Sequence, residues 1–277
     1  MKIKVTKASG IIEDLDTKKL MASLLKSGAE RDRADDIIER ILYEVEPYTS
    51  TKKIYRLAKK YLRQLNHASG LRYTLKRALF RLGPSGYPFE KYFGELLKNY
   101  GYKVKTGLIL EGRCVKHEVD VLAVNEKEIS IVECKYRNRA GSATDVKVAM
   151  YVHSRFQDLR PVIKSRYPGK NCIAWLVTNT RFTSDAIKYA ECTGFRIKSW
   201  GYPQNKSLQH MIEDKRLYPV TVISGIKSGL VKILVEHNII LLKDLAALPA
   251  SDVRRMLSLP EKKASALKKQ ADELCTC

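Results

Sequence analysis

The chain has 277 residues, 44% of them hydrophobic, and a formal net charge of +21. That length holds two or three domains of ordinary size. No apolar run approaches the ~18–20 residues a membrane span needs, and the opening MKIKVTKASG has no apolar signal-peptide core, so a cytoplasmic protein is expected. The positive excess is spread along the chain: +9 over residues 1–83 (19 basic, 10 acidic), +9 over 84–216 (23 and 14) and +3 over 217–277 (9 and 6). It is therefore no basic tail, and it points to a polyanionic partner, nucleic acid above all. None of the six cysteines forms a C-x-x-C pair. Four stand singly and read as small, reduced core residues, and the terminal Cys275-Thr276-Cys277 reads as a frayed tail.

Residues 1–83 open with a short strand, IKV, and a turn at Ser9-Gly10. Asp16 or Thr17 can cap a helix running to about Ser27. Arg33 to Val45 has helical apolar spacing at Ile37, Ile38, Ile41, Leu42 and Val45. Thr49, Ser50 or Thr51 can cap the next helix, with its stripe at Ile54, Leu57, Ala58, Tyr61, Leu62 and Leu65, and a last helix spans about 68–82. GPSGYP at 83–88 ends that helix and marks a boundary. A helix FEKYFGELLKNY, three strand-like segments (YKVKTGLIL, HEVDVLAV, ISIVECKY), a helix over about Thr144–Leu159, a strand CIAWLVTNT, a helix over Ser184–Glu191 and a strand FRIKSW follow. That α-β-β-β-α-β-α-β order predicts a mixed α/β sandwich with helices on both faces of a sheet. A softer boundary lies between GYPQNKS and Leu217-Tyr218-Pro219; residues 217–277 are helical, with turns at Ser224-Gly225 and Ser258-Leu259-Pro260.

Three charges interrupt the nearly apolar runs VDVLAV and ISIVECKY: Asp120, Glu133 and Lys135. If residues 125–128 form a hairpin loop, Val124 pairs with Ile129 and Asp120 falls opposite Glu133. Alternation then puts both carboxylates and Lys135 on one face. Two carboxylates that close repel in a low-dielectric site. A divalent cation, Mg²⁺ or Mn²⁺, resolves the conflict, because it takes hard oxygen ligands and keeps several waters. The set therefore predicts a metal-assisted phosphodiester-hydrolysis site. Glu118 shares the face of Asp120 and His117 the other; both read as strand-edge polar residues. His153, on an apolar helical stripe, reads as a core-edge histidine. Arg137, Arg139, Lys147 and Arg155 are candidates for phosphate contacts.

Asp120…Glu133-Cys134-Lys135 after an α-β start resembles the PD-(D/E)xK nuclease superfamily, most of all the Mrr-type restriction endonucleases, over roughly residues 86–200. Val119 stands where that family often has proline. The resemblance implies a restriction-endonuclease-like fold, DNA as substrate, and an acid on the preceding helix joining the site. Glu90, in GYPFEKYF, matches that acid. It implies Asp120, Glu133, Lys135 and Glu90 as catalytic residues, with Asp120, Glu133 and Glu90 holding metal. Cutting both strands of a duplex suggests a homodimer.

KVTKASGIIEDLDTKKL, with the later TKKIY, is similar to the ATP-cone, a regulatory nucleotide-binding domain, over nearly all of residues 1–83. Val5, Lys7, Gly10, Glu13, Lys19, Thr51 and Tyr55 fit its pattern, while Ala8 stands where a second basic residue usually follows Lys7. The similarity implies ATP or dATP as a regulatory ligand. Lys7 and Lys19 would meet the phosphates, Glu13 and Asp16 the adenine or its ribose, and Thr51 and Tyr55 would line the pocket. Residues 217–277 resemble helix-hairpin-helix DNA-binding domains, with hairpins at Ser224-Gly225-Ile226 and Leu257-Ser258-Leu259-Pro260; a dimerising role is the other reading of that segment. The expected chain is a multi-domain α/β protein: an ATP-cone (1–83), a nuclease domain (84–216) and an all-α DNA-binding domain (217–277). Its expected function is a nucleotide-regulated, Mg²⁺-dependent DNA endonuclease. A nucleotide-responsive DNA-binding regulator that does not cut is the alternative.

Overall fold

A computed structural model describes residues 3–7, 9–65 and 67–275; the expectations placed on Ala8 and Cys277 lie outside the described residues. The chain divides into two compact units, the first ending at Leu75 and the second spanning Lys76–Cys275.

In the first unit, β1 (Lys4–Thr6), β2 (Ile12–Asp14), α1 (Thr17–Lys26), α2 (Arg31–Glu44), β3 (Thr49–Ser50), α3 (Thr51–Leu65) and α4 (His67–Leu79) follow in order, the boundary falling inside α4. β1 is central, antiparallel to β2 and parallel to β3. Only the first strand is legible in the sequence, because two- and three-residue strands show no alternation. Asp16 caps α1 by accepting from the Lys19 N–H at 2.9 Å, and Ser50 accepts from the Lys53 N–H at 3.3 Å at the start of α3. The helical stripes bury Leu20, Leu24, Ile37, Ile41, Ile54 and Leu62 around Val5.

The second unit begins its sheet domain with α5 (Tyr87–Asn99), β4 (Lys103–Glu111), β5 (Lys116–Val124) and β6 (Glu128–Lys135). A two-residue β7 (Ala143–Thr144) leads into α6 (Val146–Arg166) and β8 (Asn171–Thr178). Then come β9 (Arg181–Phe182), α7 (Ser184–Thr193), β10 (Arg196–Lys198) and α8 (Leu208–Asp214). The sheet order is β10-β8-β6-β5-β4: β4, β5 and β6 form an antiparallel meander, and β6, β8 and β10 run parallel. Helices cover both faces, as the α/β order requires. Leu122, Ile129, Ile131, Ala174 and Leu176 pack with Ala149, Val152 and Phe156 of α6 and Ala186 and Ala190 of α7. α5 covers the other face. Gly94 lets it come close: a Cβ there would lie 3.1 and 3.3 Å from the side chains of Thr106 and Val104.

α6 runs through Pro161 to Arg166, about two turns beyond the expected stop near Leu159. A proline removes one rung of the helix, but Leu159 and Ile163 on either side are buried against the sheet, and that packing carries the helix on.

The C-terminal segment has a 3-10 turn (Val220–Val222), α9 (Ser228–Glu236), α10 (Leu242–Ala247), α11 (Ala250–Leu257) and α12 (Glu261–Cys275). Its tight turns place Gly225 (φ +79°) and Ser258 (φ +48°) in the left-handed region. Ser258 occupies a position that glycine fills at least cost. The segment is tied to the sheet domain by polar bonds. The buried Tyr92 hydroxyl donates to the Leu217 carbonyl at 2.8 Å, Thr221 Oγ1 donates to the Ala78 carbonyl at 2.7 Å, and Arg81 reaches the Ile226 carbonyl at 2.7 Å. No helix among the described residues is long and apolar enough to cross a membrane.

Tyr92→Phe leaves the buried Leu217 carbonyl without its donor. It is expected to destabilise the second unit by about 1–3 kcal/mol, seen as a lower urea midpoint at unchanged slope.

Candidate active site

The site is built where two strands part. β5 pairs β6 with Val124 opposite Ile129, the register expected from the hairpin, and the pairing runs back to Val121 opposite Val132. There it stops, although β5 continues toward Lys116 and β6 toward Lys135. β6 stays with β8, pairing Glu133 with Leu176, Cys134 with Val177 and Lys135 with Thr178. The amide that the ladder would have satisfied donates to a side chain instead: the Cys134 N–H bonds Asp120 Oδ2 at 2.6 Å. A charge-assisted bond of this kind is about twice as strong as a neutral one.

Glu133 and Lys135 continue the line of Ile129 and Ile131, which faces α6. Asp120 lies beyond the last residue of β5 paired with β6, between Val119 and Leu122, which both join the α6-side core, so simple alternation does not carry through it. From α6, Arg155 Nη1 donates to Glu133 Oε2 at 2.8 Å, with both side chains mostly buried. From α5, Glu90 stands close enough for Asp120, Glu133 and Glu118 to act on its charge.

Burial, followed by repulsion from Asp120, Glu133 and Glu118, raises the Glu90 pKa to about 7. Burial also raises Asp120, against the lowering effect of the Cys134 N–H, Arg155 and Lys135. Burial and then Asp120 raise Glu133, while Arg155 and Lys135 pull it down. The fork thus holds three carboxylates that resist being charged together, which is the electrostatic condition a bound cation relieves.

The donor set fits a hard divalent ion, since it offers only carboxylate oxygens and Mg²⁺ is held by one or two carboxylates with waters. Among the described residues no three His, Cys, Asp or Glu side chains converge as a ready-made cage, and Glu133 is engaged by Arg155.

The end of β6 is held firmly. Thr178 Oγ1 donates to the Lys135 carbonyl at 2.7 Å. Asn179, fully buried, accepts from the Arg137 N–H at 2.8 Å and donates to the Arg137 carbonyl at 2.9 Å. The Tyr136 hydroxyl donates to the Phe80 carbonyl at 3.1 Å, and Asn138 Nδ2 to the Pro84 carbonyl at 3.0 Å. The stretch from Phe80 to Pro84, at the expected domain boundary, is thus bonded to the end of β6, and the division between the units falls earlier, after Leu75.

Other expected residues fall differently. Arg155, expected at a phosphate, is the partner of Glu133, because a helix over the sheet brings it there. Arg139 and Lys147 are exposed. His117 Nε2 lies 2.8 Å from Asp158 Oδ2, which also accepts from the Val115 N–H; this pair fastens the β4–β5 loop to α6. His153 stacks on Phe195 and bonds the Tyr189 hydroxyl at 2.9 Å, a core-edge histidine. The clamp formed by Thr178 and Asn179 has no signal in the sequence beyond two polar residues ending an apolar strand.

In the first unit, Lys7 pairs with Glu13 at 2.5 Å across the β1–β2 hairpin, and both are exposed. Tyr55 stacks on Tyr73, ring centroids 5.0 Å apart. Thr51 opens α3, and Lys19 lies on the first turn of α1. Asp16 spends one carboxylate oxygen on its cap.

Comparison with known proteins agrees with the fold. Residues 83–203 match the Mrr_cat family model, a restriction endonuclease domain, and residues 218–275 match the C-terminal domain of AF1548-like proteins. An uncharacterized protein of Archaeoglobus fulgidus is 34% identical over 169 residues, 61% of this chain and 91% of that protein. The crystal structure of AF1548, a protein of unknown function, is similar over 69% of this chain and 98% of that one, with 30% identity and a TM-score of 0.59. A repair endonuclease from Pyrococcus abyssi matches 38% of this chain and 41% of that one at 22% identity, with a TM-score of 0.28, too low to establish a shared fold. Sheet order and family match define a restriction endonuclease-like domain. The chain belongs to the AF1548-like family.

Glu90 binds its proton more tightly folded than unfolded. Its stabilising contribution is complete below the usual carboxyl range (~4.3) and is lost as pH rises through about 7. In chelator, Glu90→Gln is expected to match the parent near pH 4.5 and to melt above it from pH 7 upward. Paired thermal melts across that range check the sign.

Proposed function

We propose that this protein is a metal-dependent DNA endonuclease whose catalytic set is Asp120, Glu133, Lys135 and Glu90. The observation that carries the reading is the fork: two acids and a lysine on strand segments that have parted, with a third acid beside them. Asp120 and Glu133 would hold Mg²⁺ or Mn²⁺, with Glu90 supporting a ligand or a second ion. The ion supplies Lewis acidity toward the phosphoryl oxygens and acidifies water.

The protein's own groups do the rest. The Cys134 N–H fixes the Asp120 carboxylate. Arg155 orients Glu133. Lys135, held by its carbonyl to Thr178, orients the attacking water and meets the charge that builds on the phosphoryl group. Glu90, with its pKa raised to about 7, can exchange a proton near neutrality, where general acid–base groups work best.

Adenine nucleotide is proposed as regulator at the first unit. Lys7 and Glu13 lie side by side on the β1–β2 hairpin, and Lys19, Thr51 and Tyr55 stand at or near the starts of α1 and α3, where backbone amides favour phosphate. The turns at Gly225 and Ser258 support a helix-hairpin-helix-like grip on DNA backbone, and cutting of both strands would use a homodimer. One observation favours the non-cutting regulator instead: Arg155 already occupies Glu133.

Lys135→Ala and Asp120→Ala are each expected to lower cleavage of plasmid DNA with Mg²⁺ by at least about 10²-fold, in the range of removing an electrostatic catalytic group. Melting temperature and DNA affinity in chelator should stay near the parent's. Cleavage at the parental rate by both variants would place the chemistry elsewhere. No cleavage by the parent with any divalent metal, but an affinity for DNA that changes with ATP or dATP, would establish the regulator.

A further inference from the structure

At the β10 edge of the sheet lies a cavity of about 450 Å³, lined by Trp175, Glu191, Arg196, Lys198, Tyr202 and Lys206 among others. A volume of that size accommodates a small organic ligand. Its chemistry is unlike that of a structural core. Lys198 is buried, with 7% of its surface exposed, and its ammonium donates to the Lys206 carbonyl. Among the described residues, neither Lys198 nor Lys206 has a carboxylate within ion-pair distance. A buried ammonium without a counter-charge is costly.

The other charges in the cavity are already committed. Arg196 makes two bonds to Glu128, at 2.7 and 2.9 Å, and Glu191 accepts from the Tyr202 hydroxyl at 2.8 Å. Arg196 and Lys198 both lie against the Trp175 ring, 5.3 and 5.7 Å from its centroid. The buried indole N–H of Trp175 has no acceptor in the protein. Burial, then the nearby Lys206 and Arg196, lowers the Lys198 pKa to about 8. Two lysines without a carboxylate and one donor without an acceptor therefore line a single cavity.

We propose that this cavity is a phosphate-binding site, with Lys198 and Lys206 as the anion's partners. Phosphate chemistry satisfies what the cavity lacks: a compact negative charge with several acceptor oxygens. Lys198 pairs with Val177, which pairs with Cys134 of the fork. The cavity therefore lies at the same end of the sheet, two strand spacings or about 10 Å away, with Lys198 on the face of Cys134, opposite that of Glu133 and Lys135. The phosphate can be a backbone group of bound DNA or that of a free nucleotide or inorganic phosphate. The site stands whether or not the fork cuts.

The chain has two tryptophans, so Trp200→Phe leaves Trp175 as the only one. In this full-length variant with chelator present, Trp175 fluorescence is titrated in turn with inorganic phosphate, ATP and a short duplex oligonucleotide. A saturable change is expected, weakened about tenfold or more by Lys198→Met, as for loss of a hydrogen bond to a charged group. Lys206→Gln should weaken it as well; this exposed position tests the cavity without disturbing a buried residue. Response to duplex alone assigns the phosphate to DNA, and response to phosphate or ATP assigns it to a free anion. No saturable change with any of the three, or a change that survives both substitutions undiminished, overturns the proposal.

Discussion

The bond from the Cys134 amide to the Asp120 carboxylate is the interaction on which the rest of the sheet domain turns. β6 has neighbours on both sides, yet beyond Val132 it keeps only β8. A strand that leaves its partner exposes amides that must be satisfied. Here one side chain satisfies the first of them and in doing so carries a carboxylate into the gap. The same local event therefore ends the pairing, compensates the backbone and positions an acid. A strand edge left open without such compensation would be a liability for aggregation.

Rigidity follows from what surrounds the fork. Asn179 grips the backbone of Arg137 by both its polar groups, and Thr178 holds the Lys135 carbonyl. The stretch that carries Glu133 and Lys135 is thus anchored on the β8 side while it is free of β5. Tyr136 and Asn138 extend the anchoring to the segment before α5, and that segment leads to Glu90. Side chains from three elements of the sheet domain meet because hydrogen bonds, rather than apolar packing alone, fix the ends of those elements.

The electrostatic cost is concentrated in the same place. Asp120, Glu133 and Glu90 are each harder to ionise than a free carboxyl group, first through burial and then through neighbouring carboxylates: Asp120 for Glu133, and Asp120, Glu133 and Glu118 for Glu90. Arg155 and Lys135 lessen the conflict without abolishing it. Proteins keep such unfavourable clusters mainly where chemistry uses them. The β10 cavity shows the opposite imbalance, with lysines in excess, and the two lie at one end of one sheet.

Much of this was legible in the residues alone. A loop at residues 125–128 taken between the two runs gave the pairing of Val124 with Ile129 that the sheet shows, and alternation gave the shared face of Ile129 and Ile131. From Val119 to Leu122 alternation failed, since both join one core. The order of helices and strands set the α/β class, and the stripe from Ile54 to Leu62 set one face of α3. The parting of β5 from β6, the seat of Arg155 on Glu133, the grip of Asn179 and the gathering of Lys198 and Lys206 beside Trp175 were not legible. Each joins residues between about 8 and 42 positions apart on different elements or turns. Periodicity reports which way a side chain faces along its own strand or helix. Which distant group it meets is settled only when the sheet order and the helix crossings bring the elements together.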